Sequence, residues 1–247
     1  MARAYRARCL VLGKTKLGET DSIVTMLADD GHQVRAVAKG LRKPGNRIGA
    51  RLEPFSDVEV LLHPGRSLDV VGECRCIQAN AACREGLERP AACAAIAEFL
   101  EKLTRDGALA GERVFPLTQA AFAAIGSSTP RQAGLFAAAH LFKAMAMQGL
   151  RPAIHECAVC GRALDGQGHF DVDAGGMLCD DCAAGLGVRR VDAALVSWLD
   201  ALVGSTFQEL ARVQDAPVRQ LLDLCEAWMR VHLSLNLKSM PFLKTLF

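Results

Sequence analysis

The sequence predicts an α+β protein, in which a small N-terminal β-barrel of the OB type is followed by an α-helical domain. Three observations support this fold class. Apolar residues recur at every second position in the first third of the chain and at helical spacing in the remainder, and two Cys-x-x-Cys pairs stand close together in the second half. With 247 residues, 51% of them hydrophobic, the chain can bury a sizeable core.

Five strands are predicted in the first third of the chain. Each is a short run with apolar residues at period two, and turn signals such as Asp30-Gly31 and Pro64-Gly65 separate the runs. The runs are RARCLVLGK, DSIVTMLAD, HQVRAVAKG, DVEVLLH and SLDVVGECRCI. Five short strands in this space fit a five-stranded Greek-key barrel of the OB type, so we assign residues 1–80 to an OB-fold domain.

Helical spacing begins after about residue 80. Four apolar stripes with this spacing predict core-facing helices, and Pro116 and Gly126 are suited to open and close a further one. The stripes are Ile96, Phe99, Leu100 and Leu103; Leu135, Ala138, Phe142 and Met145; Leu195, Leu199 and Leu202; and Leu221, Cys225, Trp228 and His232. We assign residues 81–247 to a helical domain. The boundary near 78–82 has no Pro/Gly linker, so we expect the two parts to pack closely.

The composition favours a cytoplasmic protein. No apolar run reaches the roughly 18 residues of a membrane span, and MARAYRARCLVLG lacks the features of a signal peptide. Ten cysteines are present, but the chain is too long and too rich in core residues to need disulfides for stability. Six of the cysteines are predicted to be small buried hydrophobes in a reducing compartment: Cys9, Cys74, Cys76, Cys83, Cys93 and Cys225.

The other four cysteines predict a zinc site. They are Cys157, Cys160, Cys179 and Cys182, and their C-x2-C-x18-C-x2-C spacing is typical of zinc ligands. Each pair can aim two sulfurs at one ion from a tight turn, and the connector brings the second turn to the opposite side. Four thiolates leave no open coordination position, so we expect a structural Zn²⁺. His155 and His169 are alternative ligands that nothing in the spacing requires.

No catalytic motif is recognisable. Gly13-Lys14-Thr15 resembles the end of a phosphate-binding loop, but Arg8 stands where that loop needs its first glycine. G-x-G-x-x-G, G-x-S-x-G and H-E-x-x-H are absent from the sequence, and the histidines are scattered. We therefore predict that the protein is not an enzyme.

Positive charge is concentrated at the N-terminus. Residues 1–51 hold eleven Arg and Lys against four Asp and Glu, a net +7, so the whole-chain charge of +2 leaves −5 for the remainder. In the third strand, alternation places Arg35 and Lys39 on the outer face, and a flexible loop with further cations is predicted to follow. Such a cluster on an OB-like barrel suits nucleic-acid phosphates, although a solvated loop is the simpler alternative.

Aromatic residues suited to base stacking are scarce in this region. Tyr5 and Phe55 are the only two near the predicted barrel, and the whole chain is only 5% aromatic. The sequence therefore favours contact with phosphates, without readout of the bases.

The order of these parts resembles the RecO family of bacterial DNA-repair proteins. The likeness covers essentially the whole chain, and its most specific parts are the Gly-Glu-x-Asp opening and the Ala-Lys-Gly-x-Arg segment. The resembling segments are LGETDSIVTMLADDGHQVRAVAKGLRKP (17–44), LEPFSDVEVLLHPG (52–65), the four-cysteine knuckle and LKSMPFL (237–243).

This resemblance implies an N-terminal OB-fold and a helical domain with a zinc knuckle inserted over residues 152–190. It implies a non-enzymatic recombination mediator that binds single- and double-stranded DNA, anneals complementary strands, and works with RecR and single-strand binding protein to load RecA. By position, the nucleic-acid-binding residues implied first are Arg35, Lys39, Arg42 and Lys43, followed by Arg47 and Arg51.

Two other function classes stay open at this point. In one, the barrel and knuckle are docking surfaces of a protein–protein adaptor, and the basic residues serve solubility. In the other, the zinc belongs to an unrecognised enzyme, which requires an open coordination position.

Overall fold

The computed structural model describes residues 3–43, 45–108, 110–165, 168–188, 191 and 193–247. The strands are β1 (Tyr5–Leu17), β2 (Asp21–Ala28), β3 (Gln33–Ala38), β4 (Asp57–His63), β5 (Asp69–Gln78), β6 (His169–Asp171) and β7 (Gly176–Leu178). The helices are α1 (Arg47–Arg51), α2 (Glu88–Leu103), α3 (Val114–Gly126), α4 (Pro130–Met147), α5 (Asp180–Ala183), α6 (Ala193–Gly204), α7 (Phe207–Leu210), α8 (Val218–Leu233) and α9 (Met240–Thr245). Among the described helices, none has the length and apolar character needed to cross a membrane.

The first five strands close into a barrel in the order β1-β2-β3-β5-β4. Strands β3 and β5 pair in parallel, whereas the other neighbours in the barrel are antiparallel. Strand β1 pairs with β4 along its first half and with β2 along its second half, and a bulge between Val11 and Gly13 marks a shift in its register with β2. The predicted α+β class and OB-like barrel are confirmed.

The period-two alternation of the strands places apolar side chains in the interior of the barrel. On β3, Val34, Ala36 and Ala38 are at most 4% exposed and face inward, whereas Arg35 is exposed. Of the six cysteines predicted to be buried thiols, five are buried, including Cys74 in the barrel core. Cys76 is an exception: it is half-buried, so the prediction was too general.

The segment after β3 corrects one prediction. We expected a flexible loop carrying cations as far as Arg51, but Arg47–Arg51 form the short helix α1. The Asn46 side chain caps this helix by accepting hydrogen bonds from the backbone N–H groups of Ile48 and Gly49, at 2.8 and 3.2 Å. The cap explains why a five-residue stretch containing glycine can start a helix at all.

The predicted stripes become the buried faces of α2, α4, α6 and α8. Helix α4 lies at the centre of this domain and packs against α2, α3, α6 and α8. Helix α3 begins at Val114, and Pro116 is its third residue. A backbone N–H at that position has no partner within the helix, so the proline removes no helical hydrogen bond. A capping box between Thr129 and Gln132 starts α4.

Barrel and helices share one core. Leu10, Leu12 and Leu27 point out of the barrel and belong to the hydrophobic cluster of the helical domain. The Phe55 ring packs on Phe122 of α3 with 5.4 Å between ring centroids. These contacts agree with the close packing expected from the linker-free boundary.

The cysteine-bearing segment is a small module attached to α8. Strands β6 and β7 form its hairpin. Trp228 Nε1–H donates to the Leu150 carbonyl at 3.0 Å, and His232 Nε2–H donates to the Val172 carbonyl at 2.8 Å. His232 is thus a half-buried residue with a hydrogen-bond partner, and both contacts tie the module to helix α8.

Candidate nucleic-acid interface and metal centre

The turn after β3 is held in a defined shape by Asp21, at the start of β2, and by Asn46, the N-cap of α1. The Gly40 N–H donates to Asp21 Oδ1 at 2.7 Å, and the Asn46 amide donates to the Gly40 carbonyl at 2.6 Å. The Gly40 bond, followed by one from the Thr20 hydroxyl, lowers the pKa of the Asp21 carboxyl, and Lys39 and Lys43 add to this effect. An ionised Asp21 therefore fixes the turn that presents the cations.

A groove of about 520 Å³ lies at this end of the barrel, between the end of β1, the β3–α1 turn and α1. We call it the basic groove. Its charged lining residues are Lys14, Lys16, Arg42, Lys43 and Glu53. The only anion among them, Glu53, accepts from Lys14 Nζ at 2.8 Å, so the other three cations have no anionic partner in the groove lining, and Arg42 donates to the Gly18 carbonyl at 3.3 Å. Cations in a concave site attract an anionic backbone more strongly than scattered surface charges do.

The structure brings only some of the predicted residues together. Arg42 and Lys43 line the groove, Lys39 is exposed where β3 enters the turn, and Arg35 is exposed nearer the start of β3. Arg51 instead donates to the Cys74 carbonyl on β5 at 2.8 Å, so this contact directs its guanidinium to β5. The backbone of Arg47 begins α1, but its side chain lies outside the described residues.

Sequence reasoning missed Lys14 and Lys16 as members of this surface. The predicted first strand ended near residue 14, whereas β1 continues to Leu17 and carries both lysines to the groove. Their spacing of two residues, which places side chains on one face of a strand, was the available signal. By contrast, Arg6 and Arg8 form ion pairs on the barrel, with Glu73 at 3.1 Å and Asp57 at 2.8 Å.

The four predicted metal ligands form a cluster. The sulfur atoms of Cys157, Cys160, Cys179 and Cys182 all lie within 4.8 Å of one another. Cys160 Sγ and Cys179 Sγ are 3.8 Å apart. A tetrahedron with Zn–S bonds of about 2.3 Å has S···S edges of about 3.8 Å, so the donor set fits Zn²⁺.

Two different local structures aim these sulfurs. In the first, the Gly161 N–H donates to the Cys157 carbonyl at 2.8 Å, and Gly161 adopts φ = 70°, a conformation that suits glycine. In the second, Cys179 is the N-cap of α5 and Cys182 lies within that helix. Backbone N–H groups of Cys160 and Cys179 lower the pKa of the Cys157 thiol, which favours the thiolate that a metal requires.

Neither alternative histidine joins the cluster. His155 Nε2 lies 3.3 Å from Asp200, while His169 contacts the Val188 carbonyl and Asp180 at 2.9 and 3.2 Å. The described ligand set is therefore four sulfurs, which would fill the coordination shell of zinc and leave no position for a substrate.

Comparison with protein families agrees with this architecture. Residues 1–80 match the family description "Recombination protein O N terminal", and residues 84–241 match "Recombination protein O C terminal". The chain belongs to the RecO family. The family consists of non-catalytic recombination mediators of DNA repair, and the observed barrel is its OB-fold domain. DNA and recombination proteins are thus the general class of partner.

Proposed function

We propose that this RecO-family chain binds single- and double-stranded DNA through the basic groove and the outer face of β3. On this proposal it anneals complementary strands, and with RecR it helps RecA load onto strands coated with single-strand binding protein. The observation that supports it most is the convergence of Lys14, Lys16, Arg42 and Lys43 on one groove of the OB-like barrel. Phosphate contacts release condensed counterions, a gain in free energy that does not depend on sequence.

Annealing by such a surface needs no nucleotide hydrolysis. Two DNA strands repel each other, and a protein that supplies cations reduces that repulsion while base pairing drives the reaction. We assign the cysteine cluster a structural Zn²⁺ that stabilises the module on α8. In this role zinc acts on DNA binding only through folding.

The test is annealing of complementary strands coated with single-strand binding protein, without ATP, over a series of salt concentrations. We expect the protein to accelerate annealing at low salt and to lose this effect as salt rises. Two variants probe the groove: Lys39→Gln with Arg42→Gln and Lys43→Gln on the turn, and Lys14→Gln with Lys16→Gln on β1. Acceleration that is insensitive to both variants would contradict the proposed surface.

Binding to bare single strands gives a quantitative check. The plot of log Kobs against log salt has a negative slope, and each lost phosphate contact should reduce its magnitude by about 0.7. The turn variant, which removes three cations, should therefore reduce the magnitude by about 2. The matched control removes three exposed cations of the helical domain, with Arg212→Gln, Arg230→Gln and Lys238→Gln. The control should keep the parent slope, and an equal loss in both variants would assign binding to net charge alone.

A further inference from the structure

A second groove, of about 420 Å³, lies near the start of β3. We call it the Tyr5 groove. Tyr5, Gln33, Arg35 and Asp69 are among the residues that line it, together with Thr104 from the helical domain. It shares no lining residue with the basic groove, which follows the other end of β3.

Tyr5 supplies this groove with a fixed aromatic ring. It is the only tyrosine of the chain, it is 38% exposed, and its O–H donates to the Asp69 carboxylate on β5. Burial and this hydrogen bond raise the pKa of the phenol, so it stays neutral and keeps donating. An anchored ring loses little conformational entropy when a planar group packs on it.

The other aromatic residue of the barrel cannot serve this purpose. Phe55 is 6% exposed and packs against Phe122, where it joins the two domains. Residues 1–80 contain no further Phe, Tyr or Trp. Among the Phe, Tyr and Trp residues of the barrel, Tyr5 is therefore the one that a nucleobase can reach.

Arg35 connects the Tyr5 groove with the predicted phosphate-binding surface. It lines the groove and precedes Lys39 by four residues, which is about 13 Å along a strand. Lys39 is followed by Arg42 and Lys43 at the basic groove. The outer face of β3 thus forms a line of cations with an aromatic ring at one end.

We propose that the Tyr5 groove holds one unpaired nucleobase stacked on Tyr5 while Arg35 contacts the adjoining phosphate. This inference rests on the proposed function and adds to it a preference of the barrel for single strands over duplexes. In a duplex, both faces of a base are already stacked, so no base is free to enter the groove. Every base has a π-face, and stacking on an aromatic ring is accordingly tolerant of sequence.

Two polar side chains of the groove lining are held in place by hydrogen bonds within the protein. The Gln33 amide is already engaged with the Glu101 carbonyl and the Thr104 hydroxyl, at 2.8 and 3.1 Å. Asp69 accepts from Tyr5. These hydrogen bonds hold the Gln33 amide against the helical domain and the Asp69 carboxylate against Tyr5, and so fix the walls of the groove beside the ring.

The experiment compares the full chain on three ligands with equal numbers of phosphates per strand. They are an oligothymidylate of about 12 nucleotides, within the roughly 4–16 that one OB fold covers, an abasic strand of the same length, and a duplex. The parent should bind the thymidine strand about tenfold more tightly than the abasic strand. Tyr5→Leu should remove that difference and leave abasic and duplex affinities unchanged, whereas Tyr5→Phe should keep most of it.

A measurement on the parent sequence guards against a variant that does not fold. Fluorotyrosine labels Tyr5 alone, because the chain has a single tyrosine. Its ¹⁹F resonance should shift with the thymidine strand and stay in place with the abasic strand. Equal affinity of the parent for both strands, with the same ¹⁹F response, overturns the stacking site but leaves phosphate binding intact. No binding to any of the three ligands overturns the proposed function together with this inference.

Discussion

His140, at the centre of α4, is a residue whose environment predicts a pH-dependent stability. Its side chain is fully buried; its Nε2 lies 2.9 Å from the Thr118 hydroxyl, and its Nδ1 has no hydrogen-bond partner among the described residues. Burial lowers the pKa of His140 to about 3, against about 6.5 in the unfolded chain. Because the folded pKa is depressed, its stabilising contribution is complete above pH 6.5 and is lost as the pH falls towards 3.

We therefore expect that His140→Leu makes stability less dependent on pH. Between pH 7.5 and 5.5 the parent should lose about 1.4 kcal/mol through this residue, and the variant should lack that loss. The Thr118 hydroxyl keeps its own acceptor, the Val114 carbonyl at 2.8 Å, so the substitution leaves no new unpaired donor. Urea unfolding at the two pH values measures the difference, and identical pH dependence in parent and variant would show that folding does not lower the pKa of His140.

Elements of regular structure were predictable where one periodicity ran without interruption. Period-two alternation predicted all five barrel strands, and the apolar stripes located α2, α4, α6 and α8. Helix α1 was missed because a single turn has too few residues for a periodic signal, and its start depends on the Asn46 cap. That helix directs Arg51 to β5. The sequence groups Arg51 with Lys39 and Arg42 because they are close along the chain, whereas the fold separates them.

The site was predictable to a similar degree. The cysteine spacing indicated all four members of the sulfur cluster, since a C-x-x-C turn constrains both of its sulfurs locally. Membership of the basic groove depends instead on the meeting of β1 with the β3–α1 turn. Such a contact between segments distant in sequence has no periodic signature, so Lys14 and Lys16 emerged only from the fold.

We expect the folding of the cysteine-bearing module to depend on bound metal. Cys157→Ser removes a buried thiolate, and structural zinc can supply on the order of 10 kcal/mol to the folding of such a loop. We expect loss of bound zinc, a lower melting temperature and poor solubility, as measured by atomic absorption and thermal unfolding. Cys76→Ser, at a half-buried cysteine of the barrel, is the control and should retain zinc. Soluble, zinc-free Cys157→Ser that melts like the parent would contradict a structural role.

At the scale of the whole molecule, the barrel and the helical domain are joined by a buried contact area. Asp57, 2% exposed, accepts from Arg8 at 2.8 Å and from Gln119 of α3 at 2.6 Å. Beside it, the Phe55 ring packs on Phe122. Because leucines from the outside of the barrel share the helical core, we expect the two domains to unfold together.

The aromatic pair can be tested with a double-mutant cycle of Phe55→Ala and Phe122→Ala. Each substitution should cost about 3–5 kcal/mol, with a coupling of about 0.5–1.5 kcal/mol between them. The chain supplies a separate probe for each domain, since Trp198 and Trp228 lie in the helical domain and a ¹⁹F label on Tyr5 reports the barrel. In the parent the two probes should report one urea transition, and in the double variant two. Separate transitions in the parent would show that the barrel folds independently, in which case the DNA-binding surface could be studied in isolation from the zinc module.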